Sequence, residues 1–179
     1  MRYDPGRDLG WLLLRPWVAI PRLVQVLWSL AGLVLVLLLR GGSNDPAVQQ
    51  GLARRILNTL TGLGPCFIKL GQALSTRPDL VRRDWLEELT RLQDDLPAFP
   101  HATALACIHE ELGAPAGELF EEFPDTPIAA ASLGQVYKAR LQGQHWVAVK
   151  VQRPNLTFIL RRDLVLIRAL GVMLSLIHI

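Results

Sequence analysis

For most of its length the chain places apolar residues three and four apart, and only between Thr126 and Pro154 does that period shorten to two. The longest apolar stretch comes first. Leu23 to Leu39 is interrupted only by Gln25 and Ser29 and is bounded by Arg22 and Arg40. As a helix it reaches roughly 25 Å at about 1.5 Å per residue, short of a hydrocarbon core of about 30 Å. Pro16 and Pro21 stand upstream, so Trp11–Ile20 is expected to form a separate interfacial helix with Trp11 and Trp17 at a membrane boundary. Three placements are open for 23–39: inserted in a membrane surface, spanning it, or packed as a core helix. No small-residue cleavage site of a secretory signal follows the run.

Gly41-Gly42-Ser43-Asn44-Asp45 reads as a linker, and Asp45 before Pro46 is an N-cap followed by proline at the first helical position. Val48, Leu52, Ile56, Leu60 and Leu63 then mark the core face of a helix over 46–62, ending at Gly62 or Gly64, with Gln49, Gln50 and Arg54 on the opposite side. Pro65 opens the next helix, in which Phe67, Leu70, Gly71 and Leu74 form the apolar stripe while Lys69 and Gln72 share a neighbouring face. A glycine inside a helix costs about 1 kcal/mol against alanine, so Gly71 suggests a close backbone approach. Taken by itself, the group is better explained as a solvated lysine beside a tolerated glycine. Ser75–Asp79 connects to a third helix over 80–95, with Trp85, Leu86, Leu89, Leu92 and Leu96 apolar and Arg82, Arg83, Glu87, Glu88 and Arg91 forming a solvated charged face. A fourth helix runs over 101–112 and stops at Gly113, and a short one, Ala116–Phe123, leads to Pro124.

The period of two belongs to a hairpin. In Trp146–Gln152, Val147, Val149 and Val151 point one way and Trp146, Ala148, Lys150 and Gln152 the other. Gly134–Ala139 supplies the preceding strand, and Gln142-Gly143-Gln144-His145 the turn. A buried strand face seldom carries an unpaired ammonium, because desolvating one costs several kcal/mol, so Lys150 calls for an anion, and a phosphate would serve. Counting back from Gly134, the template G-x-G-x-x-G-x-V is met by Ala129-Ala130-Ala131-Ser132-Leu133-Gly134-Gln135-Val136, with alanine at the first two glycine positions. Alanine's Cβ disfavours positive φ and holds the backbone farther from a phosphate, so this loop should be stiffer than a glycine-rich one. After Pro154, residues 156–177 read as a strongly apolar helix with Arg161, Arg162 and Arg168 exposed.

Charge sharpens the membrane reading. The net charge of +3 resides entirely in residues 1–40, where five arginines meet two aspartates, and the rest of the chain balances. That excess flanks the apolar run, as membrane-proximal charge often does. The folded part has neither a basic stripe nor interleaved aromatics, so a nucleic-acid partner is not expected. Cys66 and Cys107 are far apart and suit two free thiols in a reducing compartment. His101, His109, His145 and His178 are scattered, so neither a zinc site nor any other metal site made of protein ligands is expected.

The alanine loop, the V-A-V-K strand continued as Val151-Gln152-Arg153-Pro154, and the upstream Lys69-Leu70-Gly71-Gln72 together resemble the UbiB-type, or aarF-domain, atypical kinases. The resemblance implies an α+β fold: a helical N-terminal extension followed by an incomplete protein-kinase-like N-lobe made of a β-hairpin and a C-helix region. The implied divisions are 1–45, a membrane-associating segment and linker; 46–123, a helical extension with the K-x-G-Q motif; and 124–179, the partial N-lobe. It implies nucleotide binding by Lys150, Ala129, Ala130, Ala131, Ser132 and Gly134, and an occluding, regulatory role for Lys69, Gly71 and Gln72. Asp163 matches an acidic position common in the family, with no catalytic role assigned. ATP and magnesium are the implied cofactors, with the nucleotide site on the ATP-containing side of a membrane. Support of isoprenoid-quinone biosynthesis is the implied role, with quinone-biosynthesis proteins or lipid as partners. No H-R-D-x-x-x-x-N or D-F-G pattern occurs, so the general base and metal ligands are expected outside a chain that reads as a fragment. The alternative is a non-catalytic membrane-associated helical adaptor that keeps the hairpin as scaffold.

Overall fold

The computed structural model describes residues 5–94, 96–143 and 145–177; Gln144 of the expected turn and His178 lie outside the described residues. In chain order the elements are α1 (Pro5–Leu13), α2 (Pro16–Arg40), α3 (Pro46–Leu63), α4 (Pro65–Ser75), α5 (Arg83–Asp94), α6 (His101–Leu112), α7 (Ala116–Leu119), β1 (Phe120–Glu122), β2 (Ala129–Ala131), β3 (Gly134–Leu141), β4 (Trp146–Gln152) and α8 (Leu156–Ile177). The class is α+β. Two compact units result, Met1–Leu89 with Thr157–Ile179, and Thr90–Leu156.

The first unit is helical. Proline at the first position of a helix sacrifices no hydrogen bond, so α2 begins at Pro16 and runs through Pro21, which forfeits its bond to the Trp17 carbonyl and crowds that oxygen. The expected separate helix over Trp11–Ile20 is therefore corrected, since the chain breaks at Leu14–Arg15 instead. The resulting 25-residue helix is about 37 Å long, more than a hydrocarbon core. A core helix buries most of its surface, yet only 11% of the most apolar window of α2 is buried. Its one deep polar anchor is Arg22. The guanidinium donates from Nε to Asp163 Oδ1 at 3.0 Å and from Nη2 to Oδ2 at 2.6 Å. It also donates to Gln25 Oε1 and to the Leu63 carbonyl at the end of α3. Arg162 Nε completes the cluster at 2.8 Å from Asp163 Oδ1, and Arg161 pairs with Asp8 at 2.6 Å. Arg161 and Arg162, expected on a solvated face, are thus held as ion-pair partners because carboxylates on α1 and α8 face them. Leu12 of α1 and Val165 and Leu166 of α8 form the apolar cluster beside them.

Asp45 caps α3 as its residue type dictates, its Oδ1 accepting from the Ala47 N–H at 2.9 Å. Gln49, expected on the polar face, is buried. Its amide donates to the carbonyls of Gly41 and Ser43 and accepts from Trp85 Nε1 at 3.0 Å. Hydrogen-bond demand at the α2–α3 corner, rather than helical period, decides that position.

In the second unit β3 is the shared strand. β4 pairs along one side from Gly134 to Arg140, while the other side is divided between β2, against residues 134–136, and β1, against Arg140 and Leu141. The inner face carries Tyr137, Ala139 and Val151, which pack with Ala104 and Ile108 of α6 and with Phe120. α6 ends where expected, Gly113 taking the left-handed conformation at φ 76°. The expected helix Ala116–Phe123 is corrected: it lasts one turn to Leu119, and the following residues extend as β1 because Phe120 is drawn into this core and the end of β3 offers a free edge.

Candidate functional site

Directly opposed residues of an antiparallel ladder project to the same face. Ala129 pairs with Val136, and Val136 with Lys150, so the three form one cross-strand row. At about 4.8 Å between strands, the alanine and lysine rows stand about 10 Å apart. Lys150 is exposed on this outer face, as are Ala129, Ala131, Lys138 and Ala148, so the desolvation argument for an anion at Lys150 is corrected: water reaches its ammonium. Among the described residues no carboxylate pairs with Lys150. Lys138 instead lies 4.7 Å from the Trp146 ring centroid in a cation–π contact, which leaves Lys150 as the uncommitted cation of the face.

The alanines expected as a loop are instead strand residues, so only Ser132 and Leu133 make the turn into β3. The turn is tied down on both sides. Ser132 is buried, and the Arg153 N–H donates to the Leu133 carbonyl at 3.0 Å. Gly134 fits because β4 passes so closely: a Cβ there would press into the Val151 carbonyl oxygen and lie 3.1 Å from Gln152 Cα. Glycine at this position serves the close approach of two strands.

Two residues that sequence reasoning passed over fasten the segment before α6 to this hairpin. Gln135, on the inner face and 1% exposed, accepts from the Phe99 N–H at 3.0 Å, and its amide donates to the Phe99 carbonyl and to Tyr137 Oη. Burial pushes the Tyr137 hydroxyl upward, partly offset by that Gln135 hydrogen bond. Arg153 lies over the Phe99 ring and donates to the Pro97 carbonyl at 3.0 Å, while desolvation lowers its guanidinium from the usual arginine range. A glutamine at an inward strand position was the available signal for Gln135.

Lys69, Gly71 and Gln72 sit on α4, in the helical unit. Lys69 is exposed, Gly71 buried and Gln72 half-buried. Cys66, Phe67 and Ile68 form the packed side of this helix, whereas Leu70, expected in the stripe, is 46% exposed. Two positions past Ile68 the helix has turned it away from the core. Asp163 has both oxygens taken by Arg22 and Arg162. Among the described residues no three His, Cys, Asp or Glu side chains gather as metal ligands. The row fits a polyphosphate in one respect, a free ammonium beside a tied, short turn, and such an arrangement can hold an anion by point charge.

A family model described as the ABC1 atypical kinase-like domain matches residues 91–178. The chain is 47% identical over 172 residues to an uncharacterized protein of Synechocystis, covering 94% of this chain and 25% of that protein. It is 45% identical over 166 residues to the chloroplastic protein ACTIVITY OF BC1 COMPLEX KINASE 3 of Arabidopsis thaliana, covering 90% of this chain and 23% of that one. Against ACTIVITY OF BC1 COMPLEX KINASE 1 of the same plant the identity is 48% over 132 residues, 73% of this chain and 19% of the relative. The chain thus spans about a quarter of the curated relatives it matches.

Proposed function

Because the chain belongs to the ABC1 atypical kinase-like family through residues 91–178, we propose that it carries one wall of the nucleotide site of a membrane-associated, ATP-using atypical kinase or ATPase. The observation that supports this best is the single row Ala129, Val136 and Lys150 on the open face of the sheet. Lys150 holds the α- and β-phosphates as a compact positive charge, and the β2–β3 turn, with Ser132 and Gly134, closes over them. Val136 between the two offers an apolar floor. Ala129, Ala130 and Ala131 keep the strand extended and stiff, so the turn grips through a fixed geometry. ATP, with magnesium, brings the transferable γ-phosphoryl group when bound. The chain's own contribution is to hold and orient the polyphosphate, while Lys69, with Gly71 and Gln72, regulates access to it. Membrane association through α2 is supported by its length and largely unburied apolar surface. The resemblance to UbiB-type proteins extends the proposal to isoprenoid-quinone biosynthesis, with its proteins or lipids as partners.

The chain has three lysines, Lys69, Lys138 and Lys150, which makes affinity labelling decisive. An acyl-phosphate derivative of ATP acylates the lysine amine nearest its bound phosphates: an amide forms, the acyl–phosphate bond breaks and ATP leaves. Lys150 is expected to be labelled and to be protected by excess ATP, while Lys138, held under Trp146, reacts weakly and without protection. A fluorescent ATP analogue should bind at least about tenfold more weakly to Lys150→Ala. Equal labelling of Lys138 and Lys150, indifferent to ATP, would overturn the phosphate-anchor role and favour the adaptor reading.

A further inference from the structure

Where the last turns of α2 meet the first half of α3, a groove of about 780 Å³ opens, with Val36, Val48 and Leu52 among its walls and Arg40, Arg54 and Arg55 around it. We propose that this groove is a head-group site for an anionic phospholipid, the guanidiniums holding its phosphate. Three observations meet here. The cations are available: among the described residues Arg40 and Arg55 form no ion pair, and Arg54 reaches only Glu88, at 3.7 Å and with its side chain 58% exposed, a contact worth little in water. The groove also has apolar walls in the half-buried Val36 and Val48, which a soluble anion would not use. Finally, the same end of α2 leaves Leu35, Leu38 and Leu39 exposed, Leu38 at 79%.

Position agrees with chemistry. Arg40 closes the apolar run of α2, which places the basic rim at the level where lipid phosphates lie if the run is embedded. A glycerophospholipid could lay its acyl chains along Leu35, Leu38 and Leu39 and its phosphate among three guanidiniums, whose planar forks suit phosphate oxygens. Free phosphate would engage the rim alone. The inference rests on membrane association of α2 and goes beyond it, because a generic apolar helix has no head-group preference.

The test uses the full chain reconstituted in phosphatidylcholine bilayers containing a few percent of spin-labelled phosphatidylglycerol or, in parallel, spin-labelled phosphatidylcholine. The immobilised fraction of each label is read by electron spin resonance. The wild type is expected to prefer phosphatidylglycerol by about fivefold or more, the effect of one guanidinium at an anionic surface. Arg40→Gln with Arg55→Gln should abolish the preference, and Arg82→Gln with Arg83→Gln should keep it. Gly51→Leu is the sharper variant. Gly51 lines the groove, its added side chain meets nothing within 4 Å of Cβ, and every charge is retained; the groove is filled and the preference should fall to near unity. Preservation of the preference in Gly51→Leu would overturn the groove in favour of diffuse surface charge. Loss of it to water-soluble glycerol phosphate at a concentration no higher than the lipid's would overturn the lipid in favour of a soluble anion. Equal immobilisation of both labels sinks this inference alone, whereas immobilisation of neither sinks membrane association itself.

Discussion

Gly134→Ala is the smallest change that should disturb the face proposed to hold nucleotide. The added methyl meets the Val151 carbonyl oxygen and the Cα of Gln152, both backbone atoms of a paired strand, so no side chain can swing aside. Relief requires β3 and β4 to part by the better part of an ångström at the row beside Val136 and Lys150. Overpacking of a tight site costs about 1–3 kcal/mol, and here the cost falls at the end of a ladder that the Arg153 N–H, bonded to the Leu133 carbonyl, extends by one step. Native-state hydrogen exchange reads such local opening residue by residue. A loss of about 1–3 kcal/mol speeds exchange of the β4 amides about 5- to 150-fold, with ATP-analogue affinity falling alongside. Gly117→Ala is the control: it sits in α7 with nothing within 4 Å of the new Cβ and should leave β4 exchange unchanged. Unaltered protection of β4 in Gly134→Ala would refute the account of why glycine stands there.

Arg22→Ala leaves Asp163 buried with only Arg162 and strips the Leu63 carbonyl of its donor, so a loss of about 3–5 kcal/mol is expected in thermal unfolding. The paired apolar exchange Arg22→Met with Asp163→Leu should recover most of it, and a double-mutant cycle decides. Cys66 is pushed up to about 11, first by burial and then by Asp163. Its thiol should therefore react with an alkylating reagent at pH 8 far more slowly than that of Cys107, which is half-buried. Because the folded value lies above the unfolded one of 9.0, the neutral thiol's contribution to stability is full below pH 9 and is lost as pH rises towards 11. Cys66→Ala should flatten that alkaline decline, and an unchanged decline would assign it to another group.

Most element boundaries were legible because strong local signals agreed: Asp45-Pro46 at one helix start, Gly113 at one helix end, alternating valines in β4. The face that Lys150 takes was legible too, since period two places it opposite the valines whatever the surroundings. What escaped was decided by tertiary demand. Gln49 read as a polar surface residue and Gln135 drew no reading of its own, yet each is buried because it answers backbone groups from another segment, a need that no periodicity records. Arg161 and Arg162 read as solvated until α1 and α8 supplied carboxylates. Pro21 looked like a helix break, but α2 runs through it at a local cost of about 3 kcal/mol.

The corner between α2 and α3 carries a mechanical meaning. A glycine-serine segment normally decouples what it joins, but here Gln49 grips the carbonyls of Gly41 and Ser43, with Trp85 gripping Gln49 in turn, and Arg22 ties α2 to the far end of α3. The long apolar helix is thus braced at two points along its neighbour. It works as a lever arm where a tether would have left its neighbours free. Were α2 held in a bilayer as proposed, its tilt would pass to α3 and, through the short joint at Gly64, to the helix that bears Lys69.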